Sequence, residues 1–93
     1  MERLYLIAIN WSQTPNTDKI EKALGPLGNW LRFSQSCWLI WTTQNSQQIY
    51  NLLAPVLTVN DAEIITAIDE TSWYGFGQPW VWKWINSRGK SLT

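Results

Sequence analysis

The sequence predicts an α+β sandwich with its elements in the order β-α-β-β-α-β. Three observations predict it. Residues 4–11 and 37–41 are strand-length runs that are apolar on both faces, the pattern of central strands covered on each side. Residues 18–27 and 46–56 repeat apolar side chains at helical spacing. Residues 30–35 have one oily and one mixed face, and residues 64–68 are flanked by charges; both suit edge strands. This order is the split-βαβ, ferredoxin-like arrangement, with the first and third strands central and both helices on one face.

In the first strand, Leu4, Leu6 and Ala8 share one face, and Tyr5, Ile7, Ile9 and Trp11 the other, with Asn10 at its end. Residues 12–17 read as a loop. Asp18 is placed to cap the first helix, with Glu21 completing a capping-box-like pair. Ile20, Ala23, Leu24 and Leu27 form its apolar stripe, and Gly25-Pro26 should end or kink it. In the second strand, Leu31 and Phe33 oppose Trp30, Arg32 and Ser34; Gln35-Ser36 is a tight connection into the third. There Trp38 and Ile40 oppose Cys37, Leu39 and Trp41.

Asn45 or Ser46 caps the second helix, with Gln48 placed to reciprocate for Asn45. Ile49, Leu52, Leu53 and Val56 are its buried stripe, and Pro55 turns its end irregular. Asn60-Asp61 is a turn into the fourth strand. Helices on one face leave the other open, so Trp38 or Trp41, with Tyr5, Ile7 or their neighbours, is expected on the open face. Residues 1–77 form one domain and residues 78–93 an aromatic and basic extension. In that extension Trp80, Trp82 and Trp84 alternate with Val81, Lys83 and Ile85. A period of two predicts a fifth strand, paired with its own sheet or swapped onto a partner's edge. Residues 86–93 are expected to be disordered.

Ninety-three residues fit one domain with a modest core. Charged residues are only 15%, yet tryptophans number eight, a balance that favours a homodimer because so small a chain cannot bury all its apolar surface. Net charge is zero, so there is no overall polyanion-binding signature. The charge is unevenly placed, however. Residues 71–93 carry Lys83, Arg88 and Lys90 and no acid. One cysteine excludes an internal disulfide, and the absence of histidine excludes the common zinc sites and histidine-dependent dyads. No cofactor and no metal site is expected. The first apolar run is too short to span a membrane and lacks a cleavage pattern, which points to a cytoplasmic protein.

Several residues now fall into a pattern: Gly28, Trp30, Ser36 and Trp38; then Leu53-Ala54-Pro55-Val56-Leu57 with Asn60-Asp61; then Trp73-Tyr74-Gly75. In this order and spacing, over residues 4–77, the chain resembles the ferredoxin-like superfamily of the second CRISPR-associated protein, the VapD toxins and the small SinR-type proteins. It is most similar to the SinR-type members. The resemblance implies a homodimeric module that binds nucleic acid or a protein partner in a mobile-element defence context. It also implies a metal-dependent endonuclease acting on RNA or DNA where an aspartate closes the first strand. This chain has Asn10 there, beside Trp11, and an amide is a poorer ligand for a hard cation than a carboxylate. The expectation is therefore a non-catalytic module. The alternatives are that nuclease, or a pure protein-interaction subunit.

Two sets of residues are candidates for binding. Trp30, Trp38 and Trp41 on the sheet could stack nucleobases, with Arg32 and the Asn10–Trp11 end nearby; packing is the favoured reading, because only one cation accompanies them. In the extension, Trp80, Trp82, Lys83, Trp84, Arg88 and Lys90 interleave aromatic and basic groups that suit single strands or an anionic surface; a swapped edge strand is favoured there. Ser36 and Cys37 lack a base to activate them. Asp61, Glu63, Asp69 and Glu70 fit no recognised cation loop and read as a solvated edge.

Overall fold

The chain builds β1 (Arg3–Asn10), α1 (Thr17–Leu24), β2 (Gly28–Ser34), β3 (Cys37–Thr42), α2 (Ser46–Leu53), β4 (Ala62–Ala67) and α3 (Pro79–Asn86). The computed structural model describes residues 1–69 and 71–90. The strands form one sheet in the order β2-β3-β1-β4, with every neighbouring pair antiparallel. The two strands that are apolar on both faces, β1 and β3, are thus the central pair, with Tyr5 opposite Ile40 and Ile7 opposite Trp38.

α1 and α2 cover one face. Tyr5, Ile7 and Ile9 of β1 and Trp38 and Ile40 of β3 meet Ile20 and Leu24 of α1 and Ile49 and Leu53 of α2 in one buried cluster. These helical residues belong to the stripes read from spacing, but Leu52, expected in the buried stripe of α2, faces outward and is 41% exposed. α2 begins with the expected capping box: the Gln48 amide donates to Asn45 Oδ1 and the Asn45 amide to Gln48 Oε1, both at 2.8 Å. α1 differs from expectation. Its cap position is Asn16, which makes no side-chain cap bond, and Asp18 lies inside the first turn. Glu21 is turned to other partners on the sheet. Both helices close with a short 3-10 turn at their proline, over Gly25–Leu27 and Ala54–Val56.

The opposite face corrects the sequence reading. Residues 79–86 are a helix, not a fifth strand. Val81, Trp84 and Ile85 sit at i, i+3 and i+4 and pack on Leu4, Leu31, Leu39 and Trp41 in a second buried cluster. The same six residues satisfy a period of two and a helical stripe. Pro79 at the first turn favours the helix, and packing decides, since eight residues alone are too few for a stable helix in water. The expected disorder after it is also corrected. Asn86 is the last helical residue, and the chain turns over Ser87 to Gly89. The Gly89 amide donates to the Trp84 carbonyl and the Arg88 amide to that of Ile85, a Schellman pair that satisfies the helix end. Residues 91–93 lie outside the described residues. The tryptophans also sort differently from expectation. Tyr5, Ile7 and Trp38 lie beneath α1 and α2, and Trp41 lies beneath α3; none stands on an open face.

Candidate interaction site

Among the candidate stacking residues on the sheet, Trp38 is wholly buried and its indole N–H donates to Glu21 at 3.0 Å. Arg32 holds the same carboxylate through two bonds, at 2.5 and 2.8 Å. This pairing with Arg32, aided by Trp38, keeps the Glu21 carboxyl below its ordinary range. Both residues are thus engaged within the chain, and Trp38 offers no face to a base. Trp41 is buried as well, and the Arg88 guanidinium lies over its ring, 4.8 Å from the centroid. Trp84 is core. Trp82 is half-buried, with its ring 5.5 Å from that of Trp73. Trp11 donates to the Gln35 carbonyl at 2.9 Å, tying the end of β1 to the β2–β3 turn.

Asn10 is exposed at the end of β1, opposite Ala62. It rims a cavity of about 300 Å³ with Ala8, Ser36, Cys37, Glu63 and Ile64. Asp61 is committed to the neighbouring loop. It accepts the amides of Ser12 and Thr58 and the Ser12 hydroxyl at 2.7–2.8 Å, and these bonds, the Thr58 amide first, lower its pKa to about 2. Asp69 accepts from Thr71 and is also lowered. Glu70 lies outside the described residues. Among the described residues, no group of three or more His, Cys, Asp or Glu is placed to hold a metal ion, and no helix is long and apolar enough to cross a membrane.

Glu63 is different. It projects from β4 to the same side as Ile9, and neither carboxylate oxygen has a hydrogen-bond partner or meaningful exposure. Burial pushes its pKa up to about 7. An inward-pointing charge on an edge strand blunts that edge against pairing with another chain, which gives the residue a reason to be there despite its cost. The folded state holds this proton more tightly than the unfolded chain, so stability falls as pH rises from about 4.5 to about 7. Discounted for solvent screening at the edge of the sheet, the penalty at pH 8 is about 1–2 kcal/mol. Glu63→Gln should therefore stabilise the chain by that amount at pH 8 and leave it unchanged at pH 4. Urea titrations at the two values check this; equal effects at both would contradict it.

Two surfaces remain apolar and uncovered. The first is a stripe across the sheet, bordered at Phe33 by the groove at the start of α3. Strand register lines up Cys37, Ala8 and Ile64, with Phe33 beside them at the β2 bulge. Phe33 is 55% and Ile64 69% exposed. The second surrounds the start of α3. Trp73, Tyr74, Gly75 and Trp82 close a groove of about 160 Å³ against Leu4 and Phe33. Tyr74 and Phe76 are fully exposed and Trp80 is 41% exposed. Sequence reasoning missed Tyr74 and Phe76 as surface groups. The signal was present in the glycines at 75 and 77, which alternate with the aromatics. No family model, curated protein or solved structure matches the chain.

Proposed function

We propose that the chain is a non-catalytic interaction module of ferredoxin-like fold, acting in the cytoplasm as a homodimer within the CRISPR-associated and SinR-like group. The sheet order β2-β3-β1-β4 and the placement of α1 and α2 on one face support that fold reading. The group assignment is supported by the order of the sequence motifs from Gly28 to Gly75. Asn10, where nuclease relatives have aspartate, supports the non-catalytic reading.

The observation that carries the docking role is the bare stripe of Phe33, Cys37, Ala8 and Ile64. It crosses all four strands of the sheet and is the kind of surface that small domains cover with a partner. A two-fold axis through the stripe sets the same patch on both copies. The face is better suited than the β4 edge, because Glu63 guards that edge. Sedimentation velocity over a concentration series tests the reading. Wild type should dimerise with a dissociation constant of about 1–10 μM, worth roughly 7–8 kcal/mol. Phe33→Glu should shift the chain to monomer with unchanged circular dichroism. A wild-type monomer at about 100 μM, near 5.5 kcal/mol of unrealised association, would overturn the proposal.

A further inference from the structure

The start of α3 carries aromatic groups that the sheet does not need. Gly75 and Gly77 face inward onto the Trp82 ring. A Cβ at Gly75 would come within 2.9 Å of that ring, and one at Gly77 within 3.6 Å. The Trp73–Trp82 contact holds the base of this loop. The loop backbone is thus seated on Trp82, while the alternate residues, Tyr74 and Phe76, stand fully in solvent. Trp80 follows on α3, and Lys83 lies three residues further, beside it on the exposed side of the helix. Lys90 is exposed beyond the helix end. Residues 71–90 contain no acid.

We propose that this surface binds single-stranded nucleic acid, with bases stacked on Tyr74, Phe76 and Trp80 and phosphates met by Lys83 and Lys90. Tyr74 and Phe76 are bare and Trp80 is partly so, and an open ring face is what an unpaired base needs and every base can use. A protein-binding surface is expected to deplete lysine at its centre; here glycines flank the exposed aromatics in the chain, and Lys83 lies beside Trp80 on the helix. A duplex hides its base faces, so single strands are favoured. The stacking and phosphate contacts use none of Cys37, Ala8 or Ile64, and Phe33 is the one stripe residue that borders this surface.

Fluorescence anisotropy of a labelled oligothymidylate of about ten nucleotides, a length within ordinary single-strand site sizes, tests it with the full chain. Saturable binding is expected, weakening about sevenfold between 50 and 200 mM salt for two phosphate contacts on a single strand. Phe76→Ala and Trp80→Ala should each weaken it about tenfold, and Lys83→Glu should weaken it and flatten the salt dependence. Tyr74 and Phe76 are fully exposed, so replacing them does not threaten the fold. Ile64→Glu, which alters the stripe away from the Tyr74 groove, should bind as wild type does, which separates this result from the fate of the dimer. No binding at about 100 μM protein, far weaker than stacking on three rings should give, would overturn the proposal. So would equal affinity for duplex, equal binding by Phe76→Ala, or binding to phosphatidylserine vesicles without binding to the oligonucleotide.

Discussion

Trp84→Ala should cost about 3–5 kcal/mol of stability, the usual range for deleting a buried tryptophan, whereas Trp80→Ala should cost well under 1 kcal/mol at its largely open site. Trp84 is 5% exposed and sits with Val81 and Ile85 against Leu4, Leu39 and Trp41. Its removal leaves a cavity under α3 and loosens the cover over the second face of the sheet. Trp80 lies on the outer side of the same helix at 41% exposure. On a strand, residues 80, 82 and 84 would share one face, and the two substitutions would have similar effects. Urea midpoints of the two variants, at an unchanged m-value, separate the cases.

Gly28→Ala should be as damaging, with a loss of about 3 kcal/mol or more from steric strain in a closed backbone contact. Gly28 opens β2 and pairs with Thr42. An added Cβ would overlap the carbonyl oxygen of Trp41, a backbone atom of the neighbouring strand. Relief requires the two strands to part where Thr42, itself buried, donates to the Leu27 carbonyl at 2.8 Å. Gly25→Ala is the control. Nothing lies within 4 Å of its added Cβ, and its backbone is helical. That substitution should be neutral or stabilise by about 0.4–1 kcal/mol through the unfolded chain. Against a typical total of 5–15 kcal/mol, the Gly28 variant should be conspicuous in thermal and urea melts.

The sequence revealed those parts of the fold whose patterns had a single structural solution. β1 and β3 are oily on both faces, and only a central position with cover on both sides suits them. Asn45 and Gln48 specify the start of α2, and the two prolines mark where α1 and α2 tighten into 3-10 turns. What failed was ambiguous locally. Residues 80–85 fit a strand and a helix equally, and their helicity comes from Leu4, Leu39 and Trp41, far away in sequence. Glu21 has capping-box spacing from Asp18, but Arg32 and Trp38 offer it stronger partners across the sheet.

The candidate site was legible as composition and not as geometry. Trp80, Lys83 and Lys90 were singled out in the extension and remain on its surface, while Trp82 and Trp84 went to packing. Trp38 and Trp41 likewise went to the two cores, one on each side of the sheet. Exposure depends on which side of α3 meets the sheet, and a period-two reading cannot supply that.

The most direct test concerns α3 itself, because its cover over part of the sheet defines both remaining surfaces. Backbone chemical shifts would be measured for residues 79–86, with nuclear Overhauser effects from the Trp84 indole in a sample mixing labelled and unlabelled chains. Helical shifts and intrachain contacts from Trp84 to Leu4 and Leu39 are expected. Strand shifts, or contacts that arise only between chains, would contradict the arrangement and restore the swapped strand.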